Sequence, residues 1–127
     1  MNLFYTNLEI SCYYSEKFFN FLTKEKSISC ELATIKPHSV YSFQSIFLIN
    51  FSDYTNKDLR LSLYQKASEL KSALKPKDLE LDIVLMGNNN NIDVEGILGD
   101  GFVMRYKKEL EWVLHMQSIT KKPANFY

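Results

Sequence analysis

The sequence predicts a single α+β domain covering residues 1–127, with an antiparallel or mixed sheet and helices packed on it. The predicted order is β-α-β-β-α-β, followed by a C-terminal helix. Three stretches carry this prediction. Residues 40–51 alternate between two unlike faces, residues 57–74 repeat leucine at helical spacing, and residues 79–86 alternate again. Together they make a strand–helix–strand unit.

In the first stretch, Tyr41, Phe43, Ser45, Phe47, Ile49 and Phe51 share a face, and all but Ser45 are large and apolar. Period-two alternation of aromatic and β-branched residues predicts a half-buried strand. The other face, Ser42, Gln44, Ile46, Leu48 and Asn50, starts polar and turns apolar midway. That change predicts a central strand with one end covered on both sides. Thr55 and Asp58 then resemble a capping box, with Asp in place of the usual Glu or Gln. Leu59, Leu63, Ala67, Leu70 and Leu74 form one stripe, with Arg60, Lys66, Glu69 and Lys71 between them, so a helix with one buried side is expected. Pro76 stops it, because a proline pushes the preceding residue out of the helical region. Leu79, Leu81, Ile83 and Leu85 alternate with Glu80, Asp82, Val84 and Met86 as a second strand.

Before this unit, residues 2–14 read as a strand, with Leu8, Ile10 and Cys12 on one face and Glu9 and Ser11 on the other. Ser15 is placed to cap a short helix carrying Phe18, Phe19, Phe21 and Leu22. Most of the aromatics in this region are expected in the core, with Tyr5, Tyr13 and Tyr14 the members assigned to the surface. Residues 28–36 alternate as a strand, and Pro37-His38-Ser39 turns the chain into a hairpin with the next one.

After Met86, the run Gly87-Asn88-Asn89-Asn90-Asn91 predicts a turn, since Gly and Asn tolerate left-handed backbone. Residues 102–118 fit either a helix or a hairpin over residues 107–111. Helix is favoured because Lys-Lys-Glu-Leu-Glu is strong helix-forming material. The tail 119–127 is expected to be extended. The resulting order is that of a ferredoxin-like split βαβ, an arrangement that hosts many unrelated functions.

Composition narrows the function classes. Apolar content is 46%, charged content is 24%, and 15 basic residues balance 15 acidic ones. A zero net charge argues against general nucleic-acid binding, which needs a basic face. Two cysteines, Cys12 and Cys30, are too few for a disulfide framework and lack metal-ligand spacing. They are expected on separate strands as small core residues. No window approaches a membrane-spanning length. The first residues lack the basic and apolar regions of a secretory signal, so a cytoplasmic location with reduced thiols is expected.

The search for chemistry returns little. The two histidines, His38 in a turn and His115 on the expected last helix, have no spacing that supports an acid–base pair. Pairing either with a cysteine as nucleophile would need a proximity that the sequence does not supply. No P-loop, dinucleotide glycine pattern or zinc spacing is present, so no cofactor, metal or catalytic residue is assigned. Gly99-Asp100-Gly101 could open a helix, but Asp100 repels an anion there. Trp112 suits a core position or an interface anchor.

One asymmetry stands out. Residues 87–104 hold three acids, Asp93, Glu95 and Asp100, and no base, whereas residues 105–127 hold five bases and two acids. The acids fit no calcium loop and suit a solvated acidic loop. By elimination, the sequence points to a small cytoplasmic binding protein that neutralises a partner protein, such as a bacterial immunity protein or antitoxin covering a toxin's active site. An acidic patch complements a basic toxin or nuclease domain. The expected contact residues are Asn89, Asn90, Asp93, Glu95, Asp100 and Tyr106. The alternative is a small-molecule-sensing or regulatory module acting as a homodimer, and an enzyme using His38 or His115 ranks third.

Overall fold

The computed structural model describes residues 2–89 and 104–106. The chain runs as α1 (Leu3–Asn20), β1 (Cys30–Pro37), β2 (Ser42–Asn50), a single turn α2 (Phe51–Tyr54), α3 (Lys57–Leu74), β3 (Glu80–Asn88) and β4 (Met104–Tyr106). The α+β class and the mixed sheet agree with expectation, but the ferredoxin-like order does not. The chain opens α-β-β-α-β, because the expected first strand and the short helix after it are one long helix.

The reason lies in which residues are buried. Leu8, Ser11, Ser15, Phe18, Phe19 and Leu22 recur at three- and four-residue steps, and all are buried. Two of the six are serines, which hide a 3.6-residue period from any reading of apolar residues alone. The alternation of Leu8, Ile10 and Cys12 is genuine but incidental. Ser15 caps nothing; it sits inside α1, and its hydroxyl hydrogen-bonds the Ser45 hydroxyl of β2. The cap is Asn2, whose side chain accepts the Phe4 N–H at 2.9 Å. On either side of the serine pair, Phe4 meets Phe43 at 5.9 Å and Phe18 meets Phe47 at 4.9 Å between ring centroids. The helix widens into a π-turn at Phe21–Glu25 and ends at Ser27, whose φ of 55° is left-handed. The Ile28 N–H then reaches back to the Leu22 carbonyl at 2.9 Å, which satisfies a helix-end acceptor.

The sheet order is β3-β2-β1-β4. β1 and β2 form the expected antiparallel hairpin, with Ala33 opposite Phe47 and Ile35 opposite Ser45. β2 and β3 are parallel, with Phe43 opposite Leu81 and Phe47 opposite Leu85. Parallel neighbours need a crossover, and α3 is that crossover. The strand expected over 40–51 is shorter at both ends. Val40 and Tyr41 belong to the hairpin loop, Phe51 opens α2, and all three are exposed. Asn50 ends the strand by accepting the Ser52 N–H at 3.0 Å.

α3 has the expected bounds but a different cap. Asn56, not Thr55, accepts the Leu59 N–H, at 3.1 Å, while the Thr55 hydroxyl donates to the Ser52 carbonyl. After Pro76, Asp78 takes left-handed backbone, φ 53°. β3 runs on through Gly87 and Asn88, which pair with Ile49 and Asn50 instead of turning. A Cβ at Gly87 would lie 2.8 Å from Tyr54 Cγ, so a bare backbone suits α2 packing against β3 there. Met104–Tyr106 overturns the helix expected over 102–118 at those residues. Pairing with the edge of β1 satisfies their backbone groups and outweighs local helix propensity. The rest of that stretch, with His115 and Trp112, and the tail 119–127 lie outside the described residues.

One core joins these elements. Leu8, Phe18 and Leu22 of the first helical segment meet Leu63 and Leu74 of α3 over Phe43, Phe47 and Leu81 of the sheet. Each such side chain contributes about 1.5–3 kcal/mol on burial. Cys12 lies on α1 and Cys30 on β1, not on two strands. Of the tyrosines expected at the surface, Tyr13 is exposed, whereas Tyr5 and Tyr14 are half-buried against the core. Among the described residues, no helix is long and apolar enough to cross a membrane.

Candidate functional site

Of the residues expected to bind a partner, Asn90, Asp93, Glu95 and Asp100 lie outside the described residues. Asn89 follows the end of β3, and Tyr106 pairs with Ala33 from β4. Those strands occupy opposite edges of the sheet. With strands ~4.8 Å apart and residues ~3.3 Å apart along them, the two backbones are roughly 15–20 Å from each other. The structure does not bring Asn89 and Tyr106 together.

The reactive groups are also dispersed. His38 is exposed on the hairpin loop, held by its N–H donating to the Ser42 carbonyl at 2.8 Å. Burial pushes the Cys12 thiol well up, and Glu9 and Glu16 raise it further. A thiol held in its protonated form is a poor nucleophile and a poor metal ligand. Among the described residues, no group of three His, Cys, Asp or Glu side chains is positioned to hold a metal ion.

What the fold does assemble is a surface from three separate pieces of chain: α1, the hairpin loop 38–41, and the turn between α3 and β3. Two hydrogen bonds join them. Asn7 Nδ2 donates to the Val40 carbonyl at 2.8 Å, and the Glu80 N–H donates to the Tyr41 carbonyl at 2.9 Å. Two shallow clefts flank the α3–β3 turn. One, of about 560 Å³, lies among Ser39, Tyr41, Lys71, Lys75 and Asp78. The other, of about 320 Å³, lies among Glu9, Ile10, Tyr13, Tyr14 and Lys77.

Four of the seven exposed large apolar residues among those described belong to α1 and the hairpin loop: Leu3, Tyr13, Val40 and Tyr41. The other three, Phe51, Leu61 and Tyr64, are on α2 and α3. Tyr13 is 58% exposed and Tyr41 52%; the first is held through its ring and the second through its backbone. The Tyr41 N–H donates to Ser39 Oγ at 3.2 Å while its carbonyl holds Glu80. The Tyr13 ring meets Tyr14 edge-on at 5.6 Å and carries Lys17 Nζ 4.9 Å from its centroid. Lys71, Lys75 and Lys77 stand against Glu9, Asp78 and Glu80, so the lining charges balance. Chemically this is an apolar and aromatic surface with a mixed polar rim, suited to contact rather than bond-making.

Sequence reasoning identified Tyr13 as exposed but placed Tyr41 inside a strand. The available signal was Pro37-His38-Ser39, which marks a turn without fixing its length. Compared with known proteins, the chain matches no family model, no curated protein and no solved structure.

Proposed function

We propose that the protein acts by binding another protein and masking its working surface, in the manner of an immunity protein or antitoxin. The observation that carries this reading is the anchored, exposed surface around Tyr13 and Tyr41. Exposed tyrosines are enriched among the residues that dominate interface energetics, and the Tyr13 ring, already held against Tyr14 and Lys17, loses little entropy on binding. Val40, next to Tyr41 and tied to Asn7 of α1, adds apolar area. The balanced rim charge favours neither a basic nor an acidic partner. The narrower idea of a basic toxin or nuclease rests on Asp93, Glu95 and Asp100 through charge complementarity.

The test is capture from host lysate with the full chain as bait, followed by affinity measurement on two variants. One carries Tyr13→Ala and Tyr41→Ala; the other carries Asp93→Lys, Glu95→Lys and Asp100→Lys. The tyrosine pair is expected to weaken a stoichiometric partner roughly 30-fold or more, since hot-spot residues contribute ~2 kcal/mol or above. Weakening by the lysine set alone would move the contact to the acidic stretch. If no protein is retained and a small molecule raises the melting temperature of a dimer, the sensing module replaces this reading.

A further inference from the structure

The larger cleft beside the α3–β3 turn is lined by two charges of each sign. Lys71 and Lys75 stand one turn apart across the end of α3, while Asp78 and Glu80 come from the turn and the start of β3. All four are exposed. Among the described residues, neither lysine makes an ion pair with either acid, whereas Lys66 of the same helix finds Glu69 at 3.3 Å. Opposite charges thus face one cleft with their pairing capacity unused.

The backbone holds them there. The Asp78 N–H donates to the Lys75 carbonyl and the Glu80 N–H to the Tyr41 carbonyl, both at 2.9 Å. On the hairpin side, Ser39 Oγ accepts the Tyr41 N–H at 3.2 Å, which leaves the Ser39 hydroxyl proton available to an acceptor. A frame fixed before a ligand arrives lowers the entropy lost on binding.

The charges also select the ligand. A simple anion would be repelled by Asp78 and Glu80, and a simple cation by Lys71 and Lys75. A molecule that carries both charges is complementary to both pairs. The cleft's volume of about 560 Å³ exceeds what a single ion fills and lies in the range of small-molecule sites. The exposed Tyr41 ring adds an apolar surface at its edge.

We propose that this cleft binds a small zwitterion of the amino-acid class, either a free amino acid or a short peptide. Its carboxylate meets Lys71, Lys75 and the Ser39 hydroxyl, its ammonium meets Asp78 and Glu80, and an apolar side chain lies against Tyr41. The proposal does not rest on the protein-binding reading, since it needs no macromolecular partner.

Amide correlation spectra of the full chain, titrated with phenylalanine and with alanyl-phenylalanine, test it. Saturating shifts are expected at residues 39–42 and 71–80. The dissociation constant of the tighter probe should be about 1 mM, because exposed charges interact weakly in water. Which probe is tighter distinguishes an amino acid from a peptide. Acetylating the amine or amidating the carboxylate should each weaken binding about 3–5-fold. In the Lys71→Gln, Lys75→Gln variant, acid and amide forms should bind alike. In the Asp78→Asn, Glu80→Gln variant, free and acetylated amines should bind alike. Both variants are expected to fold, since the four positions are exposed and Asn accepts the left-handed backbone at position 78. Absence of saturating shifts by ~20 mM probe, shifts confined to other residues, or blocked probes that bind as well as free ones would each overturn the proposal.

Discussion

Two serines one turn apart on α1 are expected to respond to the same substitution with opposite signs. Ser15 shares a buried hydrogen bond with Ser45, so Ser15→Ala leaves the Ser45 hydroxyl stranded and should cost about 1–3 kcal/mol. The Ser11 hydroxyl is buried with no hydrogen-bond partner among the described residues. Ser11→Ala relieves that desolvation and should stabilise by up to about 1 kcal/mol. Urea denaturation of the two variants measures both; a loss at Ser11 would mean that its hydroxyl has a partner after all. Cys12, on the same helix, makes a pH prediction. Its raised folded pKa keeps the proton on the folded chain after the unfolded chain, with an ordinary thiol pKa near ~8.5, has released it. The unfolded state then binds fewer protons, so stability is full below about pH 8.5 and falls as pH rises beyond it. The slope is at most ~1.4 kcal/mol per pH unit for one thiol. Between pH 7.5 and 9.5, Cys12→Ala should show a smaller decline than the natural chain. Parallel declines would assign the effect to other groups.

At the scale of the element, the start of α3 offers a direct contrast. Asn56 accepts the Leu59 N–H, and Asn56→Ala is expected to cost about 0.5–2 kcal/mol, with Asn56→Asp nearly neutral. Thr55, the residue that the Thr-x-x-Asp spacing pointed to, donates only to an exposed carbonyl, so Thr55→Ala should stay within ~0.5 kcal/mol. Chemical denaturation of the three variants reads the ranking, and a larger loss at Thr55 than at Asn56 would reinstate the capping box. α1 shows the same competition between local and distant terms. Its aromatic and β-branched residues lean towards strand, but the long helix buries Leu8, Phe18 and Leu22 at once, and tertiary packing outweighs such propensities.

For the whole molecule, the decisive feature is that separate elements present their loops on one side. Tyr13 and Tyr41 lie 28 positions apart in sequence, yet both line clefts beside the α3–β3 turn. Because both rings are largely outside the core, the Tyr13→Ala, Tyr41→Ala pair should leave the circular dichroism spectrum unchanged and the melting temperature nearly so, while partner affinity falls. A melting temperature lowered by ten degrees or more would mean that the rings support the fold, and that lost binding says nothing about the surface.

By itself the sequence determined the hairpin, α3 and β3, because each is written in a local period: two residues for a half-buried strand, three and four for a helix stripe. It also marked the change of character along β2, where Ile46 and Leu48 follow Ser42 and Gln44 and are buried. It did not determine α1, because two members of the buried stripe are serines, one of which, Ser15, finds its partner in Ser45, thirty residues away. Nor did it determine strand order, the cap at Asn56 or the surface around Tyr41. Those were decided by hydrogen-bond partners and neighbours that exist only once the chain has folded, such as the Glu80 N–H on the Tyr41 carbonyl and the β1 edge that receives Met104–Tyr106. Periodicity records which side of an element is buried; it carries no record of what lies across the gap.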